Sequence, residues 1–376
     1  MQKRIFLVLF ALCLLFSMVS CGPEHFYADP PDHGVNGGDT TESDAQGGQS
    51  GAPLDSDFAI HFIDVGQADA ALVLCAGKTM LIDGGNVEDS NLIYSYLKKQ
   101  GITHLDYVVC THAHEDHVGG LSGALTAATA GNVLAPVTDY NSRAFRNFVA
   151  KAADRGCAVT VPTAGDQFML GDSTVTVLGP LKAYDDPNNT SIILRIVYGS
   201  TSFLFTGDME TLAEQDLLDA GVTLRSTVLK VGHHGSDTST SYRFLREVAP
   251  TYGVISVGTD NQYDHPNDTV LSRLRDADVT LYRTDLQGDV ICTSDGERVS
   301  FTTAKNNGTV TNPTESDRTE SDTAAVTEYA YIGNLNTKKF HAPDCRNLPD
   351  EINRIWFTTR EEAVSAGYSP CGNCDP

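Results

Sequence analysis

Four side chains able to bind a metal, His112, His114, Asp116 and His117, fall within six residues that follow the apolar run Val108-Val109-Cys110. Imidazole and carboxylate together suit zinc, manganese or iron better than calcium or magnesium. His112 and His114 are two apart, so on an extended segment they point the same way. Asp116 and His117 come just before Gly119-Gly120, where the backbone can turn into a helix. Such a stretch can feed two adjacent cations, one per pair. Two cations side by side generate a nucleophile from water and stabilise both the attacking and the leaving oxygen of a displacement. The plainer alternative is a His-rich surface loop.

A second set of ligands stands at the other end of the chain. His341 and Cys345, four apart, and Cys371 and Cys374, three apart, are the right donors for a closed tetrahedral zinc site. The unit around them, residues 328–376, has few apolar residues and needs such a staple to fold. A disulfide involving Cys345 or joining Cys371 to Cys374 is the rival reading. No ligand position looks open, so a zinc here is structural.

The elements that must position the first set alternate between strand and helix. Strands are expected at residues 58–64, 71–75, 79–83, 132–137, 157–161, 174–178, 192–198, 202–205, 227–231, 253–257, 279–282 and 289–293. The Val-rich run before His112 reads as a buried strand, and the pair at 71–75 and 79–83 turns through Ala76-Gly77. Helices are expected at 90–100, with Leu92, Ile93, Tyr96 and Leu97 on one face, at 141–154, and in the tail at 357–366. Two mixed sheets packed face to face with helices outside satisfy this count, an α/β architecture. The tail adds a small α+β unit.

Composition bounds the rest. The chain has 376 residues and a formal net charge of −23, which argues against broad electrostatic capture of nucleic acid. Lys3 and Arg4 precede an apolar run from Ile5 to Phe16 that is too short to span a bilayer, and no later segment is a candidate span. Residues 1–20 read as a signal peptide, and Met18-Val19-Ser20-Cys21 looks like a bacterial lipobox with Cys21 as the lipidated residue. Met18 departs from the usual Leu, so ordinary cleavage is the alternative. Residues 21–56 and 303–327 are low in large apolar side chains and read as a tether and a linker, leaving 57–302 as the catalytic domain. The expected location is the outer face of the cytoplasmic membrane, reached through a lipid anchor alone. Of the nine cysteines, Cys75, Cys110, Cys157 and Cys292 sit in apolar stretches as buried thiols.

The stretch His112-x-His114-x-Asp116-His117 after a hydrophobic strand resembles the signature of the metallo-β-lactamase superfamily. Asp64-Val65-Gly66-Gln67-Ala68-Asp69-Ala70, Leu229 to Ser236 and Asn261 to Pro266 resemble its branch containing the C-terminal domain of ComEC-type competence proteins. The resemblance implies a four-layer αββα sandwich with two divalent cations, zinc or manganese. It implies that Asp83 orients a ligand loop, that Asp208 bridges the two cations, and that His112 and His114 feed one of them. Asp116, His117, Asp208 and one of His233 and His234 would hold the other. His234 is the favoured ligand and His233 either a residue behind the ligands or a leaving-group acid, and sequence leaves open which His is which because adjacent residues ordinarily diverge in direction. His265 stands open between ligand, substrate contact and ordinary loop residue. Asp69 and Lys230 sit in the matched segments, with a plain turn cap and a solvated side chain as their alternatives, while His61 and His104 lack motif context and read as packing or surface residues.

One departure matters. Many superfamily members carry a third His just ahead of the strand before the bridging Asp, but residues 186–191 here contain none. The ComEC-type branch shows the same kind of Asn. The cation on His112 and His114 would therefore be more open, and Asn189 either hydrogen-bonds a substrate oxygen or makes a turn. The tail resembles the Ada-type metal-binding module. Together these imply a secreted metal-dependent hydrolase acting on a phosphodiester, DNA or another nucleic acid first. Cell-wall or choline phosphoesters are the second reading, and a non-catalytic surface binding lipoprotein the third. No protein partner is implied.

Overall fold

The computed structural model describes residues 57–305 and, in the tail, 331–335, 337–342, 345, 348–349, 354–357, 359–372 and 374. The leader, Cys21, the tether and nearly all of the expected linker lie outside the described residues. Among the described residues, no helix is long and apolar enough to cross a membrane.

Six strands begin the fold: β1 (Phe58–Phe62), β2 (Ala71–Cys75), β3 (Lys78–Ile82), β4 (His104–Val109), β5 (Thr129–Leu134) and β6 (Val159–Thr160). Seven more build a second sheet: β7 (Gln167–Leu170), β8 (Ser173–Gly179), β9 (Ile193–Tyr198), β10 (Thr201–Phe205), β11 (Val228–Lys230), β12 (Tyr252–Ile255) and β13 (Thr280–Arg283). The chain then returns to the first sheet as β14 (Val290–Ser294) and β15 (Val299–Thr303). The sheet orders are β15-β14-β1-β2-β3-β4-β5-β6 and β13-β12-β11-β10-β9-β8-β7. Each sheet is antiparallel in one part and parallel in the other: β3 to β6 run parallel in the first, β10 to β13 in the second.

These strands are buried on both faces, so their apolar residues run on rather than alternate with polar ones. On β10, Phe203 and Phe205 point into the space between the sheets, where they stack on Phe58 at 4.9 Å and Phe62 at 5.8 Å. Leu204 between them faces the opposite way, into a helix layer with Leu217, Phe244 and Leu274. On β4, Val109 joins the inter-sheet core and Val108 packs against Ile93, Leu97, Leu121 and Phe148 on the other helix layer. The result is the expected αββα sandwich.

Four helices cover the first sheet: α1 (Ser90–Lys99), α2 (Glu115–Val118), α3 (Leu121–Ala127) and α4 (Arg143–Asp154). On α1, Ile93 and Leu97 are buried one turn apart, but Leu92, expected on the same face, is 39% exposed. Ser142 caps α4 by accepting from the Phe145 amide. The helices α5 (Thr211–Ala220), α6 (Tyr242–Val248), α7 (Asp268–Asp276) and α8 (Thr284–Gln287) belong to the second half. Two strands escape the sequence pattern, β7 and β15, both short and both half-exposed.

In the tail, β16 (Tyr331–Asn334), β17 (Lys339–His341), β18 (Arg354–Phe357) and β19 (Ser369–Pro370) form a sheet in the order β18-β16-β17-β19. The expected helix from 357 is shorter. Phe357 ends a strand, Thr359 accepts from the Glu362 amide as the cap, and α9 covers Arg360–Ser365. Among the described residues, Phe340, Phe357, Ala363 and Tyr368 form the apolar cluster of this unit, with Tyr331 and Ile355 packed against it, small enough to need the ligands beside it.

Candidate metal centre

The parallel strands deliver the chemistry. In open α/β sheets, loops at the carboxyl ends of parallel strands carry the ligand site. Here the segment after β3 carries Asp83, that after β4 His112, that after β10 Asp208, that after β11 His233-His234 and that after β12 Ser256. Parallel pairing of β10 with β11 and of β3 with β4 brings these ends side by side.

Asp208 lies at the middle. Its Oδ2 is 3.2 Å from His117 Nε2, 3.5 Å from His234 Nε2, 3.6 Å from His233 Nε2 and 3.8 Å from His112 Nε2. Asp116 Oδ2 is 3.3 Å from His234 Nε2. Donor atoms of Asp116, His117, Asp208 and His234 all lie within 4.8 Å of one another. His112 Nε2 and His114 Nδ1 are 3.1 Å apart, so the two-residue spacing does bring that pair together.

The outer nitrogens of two imidazoles are spoken for. His117 Nδ1 donates to Asp83 Oδ2 at 2.8 Å, and Asp83 is itself held by the Thr111 amide and hydroxyl, both at 2.7 Å. His234 Nδ1 donates to the Ser256 carbonyl at 3.0 Å and sits 3.2 Å from Asp69 Oδ1. Each bond fixes the tautomer so that Nε2 presents a lone pair to the centre. Among the described residues, His117 Nε2, His234 Nε2 and Asp208 Oδ1 are buried without a hydrogen-bond partner. A divalent cation fits such a set, because it uses lone pairs that no donor reaches.

The electrostatics point the same way. Burial opposes charge on His117 and His234, yet the surrounding carboxylates outweigh it and push both imidazoles well above their ordinary range. Asp208, Asp83 and Asp116 act on the first, Asp208 and Asp69 on the second. Against its own burial, Asp116 is drawn down to about 2, chiefly by His117. Burial, with His117 beside it, holds His112 neutral. This pocket favours positive charge at its centre, and a metal satisfies that as protons do, displacing them on binding.

His233 and His234 do not diverge. Both take left-handed backbone, with φ of 51° and 52°, which lets both imidazoles approach Asp208. Left-handed non-glycine residues are costly and cluster at functional sites. His234 is buried, while His233 stays part-exposed, with Nδ1 3.3 Å from Thr238 Oγ1 and 3.6 Å from Glu210 Oε1. His265 lines the same cavity, its Nδ1 3.4 Å from Gln67 Nε2. Burial, His234 and His233 depress its pKa to about 4, leaving it neutral.

Other expectations are corrected. Asn189 does not face the cavity: its Oδ1 accepts from the Glu210 and Ala213 amides, capping the start of α5. Its neighbour Asn188 lines the cavity. Lys230 is buried rather than solvated, with Nζ 2.8 Å from Asp69 Oδ2. Asp69 is therefore a buried ion-pair partner and an orienting neighbour of His234, not a turn cap. His61 bonds Tyr96 and His104 bonds Thr129, both away from the centre. Glu210, Thr111 and the Asp69–Lys230 pair are the residues that sequence reasoning missed. Thr111, Asp69 and Lys230 lie in or beside the matched segments, while Glu210 lies outside them and had no signal.

The cavity over the centre has a volume of about 580 Å³ and is lined by His114, Asp116, Asp208, His233, His234 and His265, with Glu88, Glu115 and Tyr263 among the outer residues. In the tail, the donor atoms of His341, Cys345, Cys371 and Cys374 also lie within 4.8 Å of one another.

Comparison with known proteins agrees with this geometry. The family described as "Metallo-beta-lactamase superfamily" matches residues 63–259, and "Metal binding domain of Ada" matches residues 316–376. ComE operon protein 3 of Bacillus subtilis (strain 168) is 29% identical over 258 residues, 63% of this chain and 33% of that one. Competence protein ComA of Neisseria gonorrhoeae is 33% identical over 237 residues, 62% and 32% of the two chains. Recombination protein 2 of Haemophilus influenzae is 30% identical over 240 residues, 62% and 28%. The chain thus spans about a third of the length of these relatives. With the superfamily match laid over both halves of the sandwich and every strand end that carries the centre up to β12, this chain belongs to the metallo-β-lactamase superfamily, and its residues 316–376 are similar to the metal-binding domain of Ada.

Proposed function

We propose that the chain hydrolyses a phosphodiester, with nucleic acid as the first substrate class, from a lipid-anchored position on the outer face of the membrane. The observation that carries the reading is the convergence of His117, His234, Asp116 and His112 on the one carboxylate of Asp208. Two divalent cations bound there supply a nucleophile from water and charge stabilisation for both oxygens of the displacement. His112 with His114 would hold one, Asp116, His117 and His234 the other, and Asp208 both.

The chain's own residues do the rest. Asp83, Ser256 and Asp69 keep the ligating imidazoles in one tautomer and orientation. His233, part-exposed at the cavity wall with Glu210 behind it, gives its proton to the leaving oxygen as the phosphorus–oxygen bond breaks. The competence proteins named above support nucleic acid as substrate. Support for the outward location comes from Lys3, Arg4, the apolar run and Met18 to Cys21.

A second reading, a smaller phosphodiester such as a choline or cell-wall ester, draws on the cavity wall. Among the described residues that line it are Glu88 and Glu115 but no lysine or arginine, which suits a neutral or cationic flank better than a polyanion. A metal-reconstituted rate panel on DNA, RNA, bis-p-nitrophenyl phosphate and phosphorylcholine esters separates the readings. Turnover of the nucleic acids above the esters supports the first, and the reverse order supports the second. No turnover of any of them with zinc or manganese would leave a surface binding protein.

A further inference from the structure

Resting on the metal-centre reading above, we infer that Asn188 Oδ1 is the oxygen donor that completes the shell of the cation held by His112 and His114. That cation would have the imidazoles of His112 and His114, whose facing nitrogens are 3.1 Å apart, and a share of Asp208, whose Oδ2 is 3.8 Å from His112 Nε2. Two nitrogens and one shared oxygen leave the shell short of four protein donors. The stretch 186–191, ahead of β9 and β10, contains no His to supply another.

Asn188 opens a short 3-10 turn, Asn188–Thr190, and is nine-tenths buried yet lines the same cavity as His114, Asp208 and His233. Its Nδ2 donates to Glu210 Oε1 at 3.4 Å. A carboxylate only accepts, so this contact orients the amide nitrogen toward Glu210 and the oxygen away from it. Among the described residues that oxygen is buried with no hydrogen-bond partner, in the same condition as His117 Nε2, His234 Nε2 and Asp208 Oδ1. A buried acceptor left unpaired calls for an explanation, an ion among them. The adjacent Asn189 shows the contrast, its Oδ1 taken up by two backbone amides.

The turn is also tied to the bridging carboxylate. Ser191 Oγ donates to the Asn188 carbonyl at 2.7 Å and accepts from the Asp208 amide at 3.1 Å. Asn188 and Asp208 are thereby held in one frame. A neutral oxygen in place of an imidazole makes this position harder and weaker, more suited to manganese than to zinc.

The test is manganese titration of the full chain, read as metal per chain by elemental analysis and as affinity by electron paramagnetic resonance. Asn188→Ala is expected to bind the weaker manganese equivalent at least tenfold less tightly, with the tighter one unchanged. Asn188→His should regain that equivalent and turn its preference toward zinc. Asn188→Asp, which keeps the oxygen and adds charge, should tighten it and guards against an alanine variant that fails to fold. Wild-type stoichiometry and affinity in Asn188→Ala, or no tightening in Asn188→Asp, would overturn the inference. Asp208→Ala measured alongside keeps the two levels apart. If it alone loses metal, only the role of Asn188 fails; if it too keeps the wild-type load, the centre itself is misassigned.

Discussion

Asp208 Oδ2 faces four imidazole nitrogens at 3.2 to 3.8 Å, so the centre depends on a single carboxylate more than on any one histidine. Removing it would take away the one negative charge that both cations would share. Asp208→Ala is expected to lose bound metal and, because a metal-generated nucleophile is worth several kcal/mol, at least about a hundredfold in rate. Metal content measured beside phosphodiester turnover checks this, and full activity without the carboxylate would refute the assigned mechanism. His114→Ala should instead release mainly the cation it shares with His112. Lys230 is a different kind of residue: it makes no contact with the centre but neutralises buried Asp69 at 2.8 Å. Lys230→Met leaves that carboxylate buried without its lysine and with only the His234 imidazole beside it, which should cost about 3–5 kcal/mol of stability in a urea titration. An unchanged midpoint would mean that Asp69 finds another partner.

At the scale of elements, the metal stretch is held by glycines. Gly119 and Gly120, between the end of α2 and the start of α3, and Gly123 inside α3 pack directly on the backbone of residues 84–90, with no room for a Cβ at any of them. The same contact carries the Gly84 amide to the His117 carbonyl at 2.8 Å and the Gly120 amide to the Gly85 carbonyl at 3.1 Å. It therefore sets the height of His117 above Asp83. A methyl at Gly120 meets the Gly84 carbonyl, so Gly120→Ala should cost about 1–3 kcal/mol and misplace His117 with its loop. The expected outcome is a lowered melting temperature together with weaker metal binding. A stable variant with normal metal affinity would show that α2 and the Asp83 loop move independently.

For the whole molecule, the ends of the chain set where it sits and how its tail holds together. Cys21→Ala should release the protein from the membrane fraction, and unchanged retention would end the lipoprotein reading. In the tail, His341, Cys345, Cys371 and Cys374 bring donors of the closed-zinc kind within 4.8 Å. Cys371→Ser should lower zinc by one per chain while phosphodiester turnover stays within error. Equal zinc in the variant, with no free thiols in the wild type after denaturation, would favour disulfides.

What the sequence determined by itself is what depends on local spacing or on long apolar runs. His112 to His117 are one strand end, one turn and the start of one helix, so their cooperation follows from neighbours along the chain. The sandwich was legible because strands buried on both faces leave continuous apolar runs, as on β10 and β4. Strands β7 and β15 were not, because short half-exposed strands have too few apolar positions to make a pattern. Asp208 and the His233-His234 pair could be named from resemblance, but their meeting with His117 depends on β10 and β11 lying parallel in one sheet and facing the other. Which side chains support them was decided by tertiary structure alone. The left-handed backbone at His233 and His234 turned two neighbours toward one carboxylate. The Asp69–Lys230 pair joins residues 161 positions apart, and the exchange of roles between Asn188 and Asn189 turns on where α5 begins. Periodicity reports which face of an element is apolar, whereas a polar side chain takes its role from the partners that the fold brings to it.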